Sequence, residues 1–285
     1  MYPKHCSSNF RFTGRRAGIS GGFLPRLRCG GLLLLGLWCG GAQADTPVKM
    51  CYEDTSVYPW ITGDDQGLLL LQMHLVEQEL GRKFEFIRLP WKRCQQEVRQ
   101  GSVQAAMGAS FKRERMAWGT YPMNADGTPN KELRLFVDSF YIFRRSDSPV
   151  RWVHQQLKNM GTQAVGAQLG YSVGADLAAA GYPIKYFPSS DDLVRLLDRG
   201  LLQVAVLQNH EAMNILKHSP ALAKTIMKEG EPVKTAEQYL LFNTDFYHRE
   251  TPLVHAIWQA IERVRKSKKY QDEEALVLAP NAARH

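Results

Sequence analysis

The side chains best suited to chemistry lie in short polar segments. Lys112, Arg113 and Arg115 place three cations within four residues, just after the apolar run 105–109. A guanidinium is a planar fork that matches a carboxylate with two parallel hydrogen bonds, and neighbouring cations raise the positive potential around it. Glu53 and Asp54 form an acidic pair shortly before Tyr58 and Trp60, and Trp91 opens a polar segment. An indole face can hold a cation or an apolar stem. Each residue also has a plainer role: Arg115 in a surface ion pair, Glu53 and Asp54 in a solvated turn, the aromatics in packing. Glu53, Asp54 and Glu211 are the acids on which general acid or base chemistry would draw. No nucleophile, base and orienting group stand at a recognisable spacing, and the eight histidines include no pair at metal-ligand spacing. The sequence therefore predicts neither a metal nor a cofactor.

The elements that position these residues alternate in type. Residues 48–52 read as a strand, 67–80 as a helix with Leu68, Leu71, Leu75 and Val76 on one side, and 83–89 as a strand. A helix over 91–99 stops at Gly101, and 105–109 is a short buried strand. This βαβαβ order specifies an α/β unit. The style repeats further on, with strands at 163–168, 184–187 and 203–207 and helices at 172–180, 191–198 and 209–218. Ser189 and Ser190 are suitable N-caps there, and Gly200 a suitable stop. Two extended apolar segments, 133–143 and 238–242, join the units, so the chain crosses between two lobes twice. Thr251-Pro252 opens a final helix that carries Leu253, Ile257, Ala260, Ile261 and Val264 on one face. Residues 124–131 read as a surface loop. Lobe 1 then comprises 45–142 and 236–285, and lobe 2 comprises 143–235.

The N-terminus has a different composition. Its first 44 residues hold six basic side chains, no acid and the apolar run 31–38, ending in Ala42-Gln43-Ala44. This is the order of a signal peptide, cut after Ala44, and the run is too short for a spanning helix of about 20 residues. Trp38 stands before Cys39 where a lipoprotein signal needs a small residue. Removing the leader takes the formal charge from +8 to about +2, so no basic footprint for nucleic acid remains. The cluster Arg263, Arg265, Lys266, Lys268 and Lys269 suits the solvated C-terminal end of a helix. Cys6, Cys29 and Cys39 leave with the leader. Export favours a disulfide between the remaining pair, Cys51 and Cys94; the alternative is two buried free thiols.

The stretch Val48-Lys49-Met50 to Tyr58-Pro59-Trp60, then Gly67, the segment 91–101, Ser110-Phe111-Lys112-Arg113-Glu114-Arg115 and Tyr121-Pro122, resembles the family 3 extracellular solute-binding proteins. These are polar amino-acid receptors of ABC importers. The likeness continues through Val165-Gly166-Ala167-Gln168-Leu169-Gly170-Tyr171-Ser172, Asp198-Arg199-Gly200 and Gln203-Val204-Ala205-Val206, covering nearly all of 46–270. It implies an α/β, two-lobed periplasmic-binding-protein fold of type II with two hinge-crossing strands. By the resemblance, Arg115 grips a ligand carboxylate, Ser110 and Ser172 supply hydroxyls from opposite lobes, and Trp91 packs on the ligand. Tyr58, Trp60, Glu53 and Asp54 lie on the first cleft loop. Two departures bear on the ligand. Gln208 stands where the family usually places an aspartate for the α-ammonium, and Lys112 replaces the usual threonine. Both make the site more cationic, which points to a carboxylate-bearing ligand other than an ordinary zwitterion, unless Glu53 or Asp54 compensates. The expectation is a monomeric periplasmic receptor for a small molecule, without membrane insertion of the mature chain, read by an ABC permease or a membrane sensor. The rival expectation is an enzyme on the same fold, such as a dehydratase of cyclic carboxylates.

Overall fold

The computed structural model describes residues 46–63 and 65–279; the expected leader, its cut after Ala44, and Cys6, Cys29 and Cys39 lie outside the described residues. The first part of the chain runs β1 Val48–Glu53, α1 Leu68–Leu80, β2 Phe84–Leu89, α2 Trp91–Gln100, β3 Ala105–Ser110, β4 Gly119–Thr120 and β5 Phe136–Arg145. The middle holds β6 Arg151–Val153, β7 Gln156–Lys158, β8 Val165–Gln168, α3 Ser172–Ala179, β9 Ile184–Phe187, α4 Ser190–Asp198, β10 Val204–Gln208, α5 Asn209–Lys217 and α6 Pro220–Thr225. The last part is β11 Ile226–Asn243, α7 Thr244–Arg249, α8 Thr251–Lys266 and α9 Lys268–Leu278.

Local chemistry sets these bounds. Gly81 and Gly101 adopt the left-handed conformation that closes α1 and α2, a geometry glycine enters without a Cβ penalty. The Ser189 hydroxyl accepts the Asp192 N–H at 3.1 Å and caps α4. At Gly67 a Cβ would lie 2.5 Å from the Trp60 carbonyl oxygen, so only glycine lets the cleft loop turn into α1.

One mixed sheet runs through the molecule in the order β2-β1-β3-β11-β5-β10-β8-β9, with β4 paired on β11. Its parallel trios β2-β1-β3 and β10-β8-β9 sit at opposite ends, and the antiparallel pair β5 and β11 joins them. This is the two-lobed periplasmic-binding-protein architecture. Each trio is covered on both faces, as parallel strands require. In the first lobe Met50 and Met107 pack with α1 and α8 on one face, while Cys51 and Ala106 pack with α2 on the other. In the second, Ile142, Val204 and Val206 face one core and Phe143, Ala205 and Leu207 the other. No helix among the described residues is long and apolar enough to cross a membrane.

Three features differ from the sequence reading. The returning strand is 18 residues long rather than five, because β11 continues through Gly230 and Pro232 by register shifts at Lys228/Pro232 and Pro232/Lys234. Proline lacks the N–H of a regular ladder and is tolerated at such bulges. The hairpin β6-β7 was not anticipated; its strands are too short to show a period. The basic cluster is not one helix end, because Ser267 caps a separate helix, its hydroxyl accepting the Tyr270 N–H at 3.3 Å.

Cys51 and Cys94 are joined, with Cα atoms 5.6 Å apart and both side chains fully buried. The bond ties β1 to α2 across 43 residues of chain. Closing a loop of that length in the unfolded state is worth about 4 kcal/mol. The double variant Cys51→Ala/Cys94→Ala is expected to lose stability of about that size in denaturant unfolding. Reductant should then lower the wild-type midpoint and leave the variant's unchanged.

Candidate functional site

The carboxyl ends of β1, β3 and β10 and the start of α3 converge where an open α/β sheet places its ligands. They enclose a small cavity of about 40 Å³. Six of the nine binding residues anticipated from sequence line it: Glu53, Trp91, Ser110 and Arg115 from the first lobe, Ser172 and Gln208 from the second. The Ser110 and Ser172 hydroxyls meet across it at 2.8 Å.

Arg115 comes from a 3₁₀ turn that follows β3. It is buried, and its two terminal nitrogens donate to the carbonyls of Ser110 at 2.9 Å and Gly170 at 3.2 Å. Its guanidinium carbon lies 5.9 Å from the centre of the Trp91 ring. Gly170 approaches α2 so closely that a Cβ would come within 3.1 Å of both Trp91 and Gln95. A positive φ of 84° at the same residue is the second reason for glycine there.

Glu53 ends β1 with its carboxylate inside the protein, accepting the Trp91 N–H at 3.2 Å. Burial pushes its carboxyl up to about 8, against the opposing effect of that N–H. Burial, with Glu53 next in weight, also drives the Tyr171 hydroxyl well above its usual range. Phe136, Phe140, Met107 and Leu69 supply apolar wall, which removes the water that would hold these charges.

Three anticipated residues stand elsewhere. Asp54 follows β1 without lining the cavity, and its carbonyl accepts Arg88 at 2.7 Å. Tyr58 points away, its hydroxyl donating to the Val277 carbonyl at 3.0 Å. Trp60 stacks behind Phe136, ring centres 4.1 Å apart, and so backs the wall without forming it. The bridge between Val57 and Ile61 folds this loop back on itself and turns both aromatics off the cavity.

Sequence reasoning missed Tyr171, Phe136, Phe140 and, beside Gln208, Asp138. Asp138 is 2% exposed on β5 and accepts the Gln208 side-chain N–H at 2.5 Å. Burial lifts its carboxyl to about 7, with the Ser139 N–H and the Gln208 amide opposing and Glu211 adding to the rise. The available signal was the spacing Phe136-x-Asp138-x-Phe140, which sets an acid on the inward face of a strand. A site balanced only toward cations is therefore not what the fold assembles.

Contacts at both rims hold the lobes together. Glu211 of α5 accepts the Tyr58 N–H at 2.5 Å and the Ser56 hydroxyl at 3.1 Å. At the other rim Asp176 of α3 lies 2.6 Å from Lys112 and 2.6 Å from Lys234.

No protein-family model and no curated protein matches the sequence. Solved structures match its shape. One is described as a histidine kinase sensor domain with similarity to periplasmic binding proteins: 17% identity, TM-score 0.67, 81% of this chain and 96% of that one covered. Another is the arginine-, lysine-, histidine-binding protein ArtJ from Geobacillus stearothermophilus, at 17% identity, TM-score 0.64, and 81% and 94% coverage. A third is the substrate-binding protein of an amino acid ABC transporter, at 14% identity, TM-score 0.62, and 81% and 98% coverage. At these identities the likeness is one of fold: two lobes of the periplasmic-binding-protein kind, here closed on a small polar cavity.

The raised carboxyls set a pH dependence. Glu53 and Asp138 hold protons in the folded chain that their unfolded forms, near 4.5 and 3.8, release. Their contribution to stability is complete below those unfolded values and declines as pH rises toward about 7 and 8. Ligand-free protein is expected to unfold at lower denaturant at pH 8 than at pH 5. The pair Glu53→Gln and Asp138→Asn should flatten that slope.

Proposed function

We propose that this chain is an exported solute-binding protein of the family 3 kind, which closes its lobes over a small carboxylate-bearing ligand in the periplasm. The observation that carries the reading is Arg115, a buried guanidinium on the wall of a cavity lined from both lobes. A cation held out of water is a strong partner for an anionic group, worth more there than at the surface. Ser110, Ser172 and Trp91 surround the same space, and Lys112 and Lys234 stand at the rim, both paired with Asp176. A disulfide between Cys51 and Cys94 fits an oxidising compartment.

The lobe boundaries follow the strands: lobe 1 takes 45–142 and 236–285, lobe 2 takes 143–235, and β5 and β11 are the hinge. Closure draws its free energy from ligand contacts made only when both walls meet. The similar structures include a transporter's binding protein and a kinase sensor domain, so a permease or a membrane sensor is the reader of the closed form. Receptor action is favoured over turnover because Arg115 and the serines bind, and the buried acid Glu53 is engaged by Trp91.

Thermal unfolding of the mature chain should rise with added carboxylates, amino acids among them; a hundredfold excess over Kd is worth about 2.7 kcal/mol. Arg115→Ala should weaken binding about a hundredfold, as losing a buried charged partner does, and remove the shift. An unchanged shift in that variant would take Arg115 out of the site, and conversion of the ligand, seen by mass spectrometry, would make the chain an enzyme.

A further inference from the structure

The size of the closed cavity limits what it can hold. Its volume is about 40 Å³, and a single water needs about 10–15 Å³, so the space takes about three water-sized groups. That is the bulk of a carboxylate with a short alkyl end. Bonds between the lobes hold the walls at this spacing. The Ser110 and Ser172 hydroxyls meet at 2.8 Å, and the Gly170 carbonyl accepts from Arg115 at 3.2 Å and from Gln95 at 3.4 Å. Lys112 pairs with Asp176 at 2.6 Å on one rim, and Glu211 takes the Tyr58 N–H at 2.5 Å on the other. A wall moved by the length of one C–C bond, about 1.5 Å, carries a 2.8 Å contact past hydrogen-bond reach.

Charge sets a second limit. Among the described residues that line the cavity, Arg115 is the single cation and Glu53 the single acid. Two guanidinium N–H groups are engaged by the Ser110 and Gly170 carbonyls, which leaves three to donate to an anion. The serine hydroxyls use one proton between them and can donate the other. Burial raises the Glu53 carboxyl to about 8, so at neutral pH it is mostly protonated and does not repel that anion. A second ligand carboxylate would find no cation, and an unpaired buried charge is costly. Val57, Leu69, Met107, Phe136 and Phe140 offer apolar surface to an alkyl end.

We infer that the ligand is a short monocarboxylate of about two or three carbons, held by Arg115 and the serine pair, with the apolar walls setting its length. This rests on the carboxylate reading of Arg115 and narrows it. Lobes closed to these distances exclude dicarboxylates and α-amino acids with long polar side chains.

The test is calorimetric titration of the mature chain with acetate, propionate, butyrate and hexanoate, and with succinate and L-glutamate alongside. Acetate or propionate is expected to bind tightest, and affinity to fall about tenfold or more for each methylene beyond propionate. Succinate and glutamate should bind at least about a hundredfold more weakly. Phe140→Ala and, independently, Met107→Ala should move the optimum to a longer acid, because trimming a wall leaves room; where neither variant folds, the wild-type series decides alone. An optimum that stays in place in both folded variants would overturn the assignment of the length limit to these walls. Tightest binding of hexanoate or glutamate, or succinate matching propionate, would overturn the inference and leave the role of Arg115 standing. Binding of none of these acids would overturn this inference and the carboxylate reading with it.

Discussion

The antiparallel pairing of β5 with β11 is the constraint on which everything else hangs. Phe136–Arg145 pairs with 226–238 of β11 through two register shifts, and each lobe's parallel trio attaches to one of the two strands, β3 on β11 and β10 on β5. Each trio thus keeps its own packed core on one side of the pair. The same pair places its side chains at the floor of the cleft. Phe136, Asp138 and Phe140 face inward because a strand alternates its faces every residue.

Electrostatics in the cavity follow from that placement. Apolar walls deny water to Glu53, Asp138 and Arg115, and a charge without water must find a partner or change its protonation. Arg115 turns to the carbonyls of Ser110 and Gly170. The two acids instead hold their protons to higher pH. The rim contacts of Glu211 and Asp176 add closure that depends on charge but not on the ligand's shape.

Much of this was legible beforehand. The alternation of apolar runs, the helix stops at Gly81 and Gly101 and the cap at Ser189 are local signals, written within a few residues of each element. They determined the α/β class, the lobes and the double crossing. Arg115, Ser110, Ser172, Trp91, Glu53 and Gln208 could be brought to one cavity because the ends of strands and helices converge there in such folds. The length of β11 was hidden by Gly230 and Pro232, which break the local pattern, while long-range pairing with β5 overrides it.

What the tertiary structure alone decided is how polar groups far apart in sequence share a dry space. Asp138 and Gln208 are separated by 70 residues, so no local spacing could couple them; the β10-β5 register does. The same holds for the loop after β1, where Trp60 stacks on Phe136 and the Tyr58 hydroxyl reaches the Val277 carbonyl. Sequence determined which elements form, because hydrogen bonding and burial within an element depend on near neighbours. Structure decided the charge balance of the site, because desolvation and partnering depend on whatever chain arrives from elsewhere.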